Sequence, residues 1–253
     1  MARYSREVTL DVQVLRWPQF QAMFLDAHQQ GEHIAIVGPT GSGKTLVGLE
    51  LCKLIGSRHA ANGGPSPVAV LQTKPRDDTM RLILPKDEWP EIKRWPPKYG
   101  EEHCVVWVRG RTIPEAKARQ VAVFGPLLDV IYKEGSQTVY LPEAAHFERK
   151  RPTGLGMEDR MVELWTTARS LKLTVISDTQ RPRWVSVSMW TEPSWVIVFQ
   201  PDYDEDLRHV AKLSGVPGVY EAARQLGQHE FLCVRRQRGR EGMRALYVSR
   251  VEV

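Results

Sequence analysis

"HIAIVGPTGSGKT", His33 to Thr45, decides the fold because its parts only make sense together. "HIAIVG" is a short apolar run of the kind that fills a strand buried on both faces. "KTLVGLELCKLIG" (44–56), directly behind, reads as a helix. Between them "GPTGSGKT" fits G-x-x-x-x-G-K-[ST], and strand before with helix after is the context that pattern requires. Gly38, Gly41 and Gly43 let the backbone wrap a phosphate closely with its N–H groups inward, and Pro39, Thr40 and Ser42 complete the loop. Lys44 brings a point charge to the β- and γ-phosphates, and Thr45 offers a hydroxyl to Mg²⁺. The helix N-terminus adds its partial positive charge. This stretch predicts a site for ATP and Mg²⁺.

Outward from it, short apolar runs alternate with longer amphipathic ones, which predicts βα units and a mostly parallel sheet flanked by helices. "PVAVLQT" (67–73), "HCVVWVRG" (103–110), "TVYL" (138–141), "TVISDTQ" (174–180) and "SWVIVFQ" (194–200) read as strands. The Pro- and Trp-rich segment 84–99 reads as surface loop. Residues 114–135 and 157–173 read as helices, with Gly125-Pro126 expected to kink or divide the first. "DEDLRHVAKLSG" (204–215) is a helix with acids at its start and Gly215 at its stop. "EFLCVRR" and "RALYVSRVEV" predict a C-terminal hairpin around "QRGREG". The expectation is a single P-loop domain over 1–253, with a core at about 30–215 and an extension at 216–253.

The chain has 253 residues, 42% hydrophobic and 26% charged, so neither size nor composition points to disorder. A net charge of +5 permits a polyanionic partner without requiring one. Cys52, Cys104 and Cys233 are odd in number and lack metal-ligand spacing, which fits a reduced, cytoplasmic setting. No signal peptide and no apolar run of about 20 residues is evident, so no membrane association is expected.

A P-loop alone does not distinguish kinases, GTPases and motor ATPases. The absence of an [NT]KxD guanine signature argues against a GTPase. A motor ATPase needs a glutamate at another strand tip to polarise water, and Glu143 follows "TVYL" in that way. Pro142 is compatible with a strand ending there. The same Pro-Glu pair also suits the start of a helix, with Pro at its first position. In "TVISDTQRP", Asp178 and Gln180 share one side of the strand, and Gln180 stands at the tip, where a glutamine can orient water or sense γ-phosphate.

"GPTGSGKT", "TVYLPEAAHF" and "ARSLKLTVISDTQRP" together resemble the FtsK–HerA superfamily of P-loop DNA-translocating ATPases, including viral genome-packaging and Zot-like members, over roughly residues 30–215. The resemblance implies a RecA-like core, a homo-oligomeric ring and ATP-driven movement of double-stranded DNA. It gives Lys44 and Thr45 the phosphate and magnesium positions, Glu143 the catalytic glutamate, and Gln180 the polar sensor. Arg169 matches an arginine presented to a neighbour's nucleotide, with Arg149, Arg151 and Arg160 as the other candidates. The departure is Pro142, where the family has a magnesium-holding aspartate. In the strand order common to these folds Asp178 lies near the metal, so it is expected to take over that role.

Basic stretches "ERKRP" (148–152) and "RRQRGREGMR" (235–244), with Lys74 and Arg76, are candidate DNA contacts. With no recognition helix in the sequence, binding is expected to be non-specific and to the backbone. The reading is therefore a DNA-translocating ATPase, with viral packaging as its setting and portal or capsid proteins as further partners. A nucleotide or small-molecule kinase and a non-hydrolysing nucleotide-gated scaffold are the alternatives.

Overall fold

The computed structural model describes residues 12–61, 67–92, 103–236 and 244–251. In chain order the elements are β1 (Val12–Val14), α1 (Trp17–Ala27), β2 (Ile34–Val37), α2 (Lys44–Ala61), β3 (Val68–Gln72), α3 (Asp78–Ile83), β4 (Glu91–Ile92) and β5 (His103–Trp107). There follow α4 (Ile113–Glu134), β6 (Thr138–Leu141), α5 (Ala144–Glu148), α6 (Glu158–Thr167), β7 (Thr174–Thr179) and α7 (Ser188–Thr191). The chain closes with β8 (Trp195–Phe199), α8 (Asp204–Ser214), α9 (Val219–Ala223), β9 (Glu230–Arg236) and β10 (Arg244–Arg250).

All the strands join one ten-stranded sheet, ordered β1-β10-β9-β8-β2-β7-β6-β3-β5-β4. Every pairing from β8 to β4 is parallel, while β9 runs antiparallel to both β8 and β10. The apolar runs explain the centre. Every residue of β2, β3, β6, β7 and β8 is buried, as parallel strands covered by helices on both faces must be. Alternate side chains then feed two cores. Ile34, Ile36, Val70 and Ile176 pack with Phe20 and Phe24 of α1 and Val47, Leu51 and Ile55 of α2. Ala35, Val37, Leu141 and Val175 pack on the other face, with Phe124 and Leu128 of α4, Trp165 of α6 and Leu207 of α8.

Several expectations change. Helix α4 runs undivided through Pro126, because Phe124, Leu127, Leu128 and Ile131 are buried on either side of it. Their burial, at roughly 1.5–3 kcal/mol per large side chain, outweighs the ~3 kcal/mol cost of an interior proline. The helix expected at 157–173 stops at Thr167, and a 3₁₀ turn, Ala168–Leu171, leads to Lys172 in the left-handed region (φ 55°). Within the expected loop 84–99, Trp89 is buried and Glu91–Ile92 pairs with β5, whereas Trp95 lies outside the described residues. The turn "QRGREG" of the C-terminal hairpin also lies outside them, but its two strands pair as expected. Neither β1 nor α1 was anticipated; β1 adds a parallel strand to β10.

Candidate active site

Parallel strands carry their loops to one edge, and here that edge collects the chemistry. Strand β7 lies between β2 and β6, so the polar strand separates the phosphate-loop strand from the acidic one. Register sets the depth of each group. Asp178 stands opposite Ile36 and Thr179 opposite Val37, and the N–H of Gly38 donates to the Thr179 carbonyl at 3.3 Å. The first glycine of the loop is thereby fixed to the polar strand. Gly41 (φ 78°) and Gly43 (φ 108°) hold backbone conformations that other residues rarely adopt. Gly38 is needed for space instead, since a Cβ there would stand 2.6 Å from Phe199.

Lys44 is buried, and its Nζ donates to the Pro39 carbonyl at 2.7 Å across the loop. Burial lowers its pKa, while Asp178 and Glu143 oppose that by favouring the ammonium. The side chain of Ser42 is half-buried, and its Oγ has no hydrogen-bond partner among the described residues. The first-turn N–H groups of α2 have no intrahelical acceptor by construction. Open donors, an orphaned hydroxyl and a lysine folded onto its own loop form a cradle that fits phosphate.

Glu143 sits between β6 and α5 as the N-cap of α5, in the left-handed region with φ 62°. A non-glycine residue held there costs on the order of 1–3 kcal/mol and signals a position fixed by its surroundings. Strand β6 ends at Leu141 and the helix begins at Ala144, so Pro142 lies in the bend between them and does not open the helix. The backbone N–H of Gln180 donates to the Glu143 carboxylate, and the Thr179 hydroxyl approaches it at 3.4 Å. Burial first, then the neighbouring Asp178 charge, raise the Glu143 pKa to about 6, with Lys44 pulling the other way.

Asp178 is almost fully buried, and its carboxylate accepts from the Tyr140 hydroxyl and from the Glu143 N–H. Burial raises its pKa; the Tyr140 bond and Lys44 hold it down. Gln180 accepts from the Thr40 hydroxyl at 3.0 Å, so the polar strand touches the phosphate loop a second time. Lys44, Glu143, Asp178, Gln180 and the loop 38–45 therefore come together. Thr45 and Asp178 carry the oxygens that could hold Mg²⁺ beside phosphate, an ion that keeps several of its waters.

Arg169 does not join them. It is exposed in the 3₁₀ turn before β7, at the end of the strand opposite the phosphate loop. Arg151 and Arg160 are also exposed, and Arg160 is paired with Asp129 at 2.9 Å. Arg149 lines the same 630 Å³ cleft as Glu143 and Gln180, stacked 4.6 Å over Trp184. Three further residues of that cleft were missed in the sequence: His146, Arg181 and Trp184. Arg181 pairs with Asp206 at 3.3 Å and lies 4.0 Å over Tyr203. Its position right after Gln180 was the available signal. Lys74 lines the cleft too and pairs with Asp77, while Arg76 pairs with Asp78 in solvent.

No helix among the described residues is long and apolar enough to cross a membrane. No protein-family model matches the sequence, and no curated protein does either. Solved structures do match. B204, the DNA-packaging ATPase from Sulfolobus Turreted Icosahedral Virus, aligns with a TM-score of 0.57 at 14% identity, over 89% of this chain and 100% of its own. The genome packaging NTPase B204 of Sulfolobus turreted icosahedral virus 2, in complex with ATP-gammaS, gives 0.59 at 14% identity over the same shares. VirB4 of Thermoanaerobacter pseudethanolicus gives 0.55 at 10% identity, over 87% and 90%. The chain has the RecA-like P-loop fold of these ATPases.

Proposed function

We propose that this protein is an ATP-driven motor that moves double-stranded DNA, and that viral genome packaging is its setting. The observation that carries the reading is the meeting of Glu143, Asp178 and Lys44 beside the phosphate loop, with Gln180 bonded to Thr40 within it. That set suits hydrolysis better than phosphate transfer to a small acceptor, because Glu143 is buried enough to be tuned yet opens onto a cleft with room for water. The B204 fold supports the packaging setting, and the basic edge described below supports DNA as the load.

In this reading the glycine loop and Lys44 bind the ATP phosphates, and Glu143 takes the proton of the attacking water. Gln180, bridging to Thr40, is placed to report the γ-phosphate to the loop. Thr45 and Asp178 would hold Mg²⁺, which when bound would neutralise phosphate charge. Asp178 thus supplies from β7 the carboxylate that Pro142 withholds from β6. Arg169, distant from its own loop, serves a neighbour's site in a homo-oligomeric ring, and portal or capsid proteins are the partners such a ring requires.

Two substitutions test the assignment. Glu143→Gln should bind nucleotide normally and lose hydrolysis by about a hundred- to ten-thousandfold, the usual weight of a positioned base. Asp178→Ala should hydrolyse poorly and need more Mg²⁺ for half-maximal rate. Wild-type turnover in Glu143→Gln would remove the catalytic glutamate, and wild-type turnover with unchanged Mg²⁺ dependence in Asp178→Ala would remove the relocated carboxylate.

A further inference from the structure

Cations line one strip of the surface beside the cleft. Arg111 precedes α4, Lys117 lies in its second turn, Lys150 and Arg151 follow α5, and Arg160 is on α6. Lys117 Nζ donates to the Pro152 and Thr153 carbonyls, the latter at 3.1 Å, which joins the start of α4 to the segment after α5. Arg111, Lys150 and Arg151 form no ion pair among the described residues, in contrast to Arg76, Arg81, Arg109, Arg119 and Arg208 elsewhere.

Along this strip runs a groove of 430 Å³, with Lys150, Arg151 and Arg160 around Gly125, Pro126 and Leu155. Its floor is bare helix. A Cβ added at Gly125 would meet only the Arg160 guanidinium, at 3.8 Å. From Ile113 to Gly125 the helix rises roughly 18 Å at ~1.5 Å per residue. Duplex DNA advances about five base pairs over that distance at ~3.4 Å each. The groove floor of Gly125, Pro126 and Leu155 is uncharged, and although Asp129 pairs with Arg160 and Glu115 with Arg119 along α4, the unpaired Arg111, Lys150 and Arg151 suit a backbone that alternates phosphate with sugar.

The strip is also wired to the site. Gln120 of α4 is buried; its Nε2 donates to the Thr73 carbonyl at 2.9 Å and the Val108 carbonyl at 3.2 Å, and its Oε1 lies 3.2 Å from His146 Nε2. His146 is in α5, the helix that Glu143 caps.

We propose that the groove between α4 and the α5–α6 connection, lined by Lys150, Arg151 and Arg160, together with Arg111 ahead of α4 beside a separate cavity, holds the phosphate backbone of the duplex that the motor moves. This deepens the reading above and rests on it. The test uses the full chain, a labelled duplex of arbitrary sequence, and the variants Arg111→Gln, Lys150→Gln and their double. Binding is measured by fluorescence anisotropy across a salt series, and ATP hydrolysis with and without duplex. Each substitution should lower the slope of log affinity against log salt by about 1. Hydrolysis without DNA should be unchanged and its stimulation by DNA reduced, most in the double variant. A double variant with wild-type slope and stimulation overturns the groove while leaving the motor standing. Competition by polyglutamate as effective as by duplex of equal charge also overturns it. A wild type that neither binds duplex nor responds to it overturns both.

Discussion

Glu143 carries two opposed pressures. Burial and the Asp178 charge push its pKa up; Lys44, the Gln180 N–H and Lys74 bring it down, and the balance is about 6. A base works only when ionised, so kcat/KM should hold above that pH and fall about tenfold per unit below it. Lys74→Met removes one of the stabilising charges. The acid limb should then move to higher pH, and a pH–rate profile in which it stays or moves lower would contradict the electrostatics. Much of this site was legible residue by residue: the loop 38–45 from its spacing and Glu143 from its place at a strand end, while Asp178 came from the strand order that the resemblance implies. What sequence did not reveal is contact across strands. That Tyr140 and the Glu143 N–H converge on Asp178 depends on the registers of β6 and β7, which no local pattern encodes.

At the scale of the element, Gly48 shows how a helix makes room for the site. It lies in the second turn of α2 over the Tyr140 ring, where an added Cβ would stand 2.7 Å from the phenol oxygen. Alanine gains about 1 kcal/mol in helix propensity over glycine, but overpacking a fixed core costs about 1–3 kcal/mol. Gly48→Ala should therefore lower stability by about 1 kcal/mol in denaturant unfolding, and weaken hydrolysis by displacing Tyr140 from Asp178. A stabilised variant with full activity would show that this packing does not matter. The elements themselves were read best where they are long and buried. Gly125-Pro126 was expected to kink or divide α4, and the helix is not divided because packing on either side of Pro126 overrides the local preference. Strand β4 has two residues and β1 has three, too few for periodicity to show, and both exist only because an edge of the sheet was there to pair with.

At the scale of the molecule, strand order does the work. Placing β7 between β2 and β6 puts a carboxylate from one strand within reach of the loop on the next, so losing the acid at Pro142 need not cost the chemistry. The same edge leads from Glu143 through His146 and Gln120 to the basic strip, so the proposed motor would bring nucleotide and load to one side of the sheet. Arg169 stands at the far end of β7, so the role proposed for it requires a second copy to present it. The whole account therefore requires assembly and DNA together. The direct test is ATP hydrolysis with and without double-stranded DNA, on protein whose oligomeric state is measured in the same samples by light scattering. The account predicts a ring whose hydrolysis rises when duplex is added. A monomer that turns over ATP at a rate indifferent to DNA, or a protein that binds ATP without turnover, would contradict it.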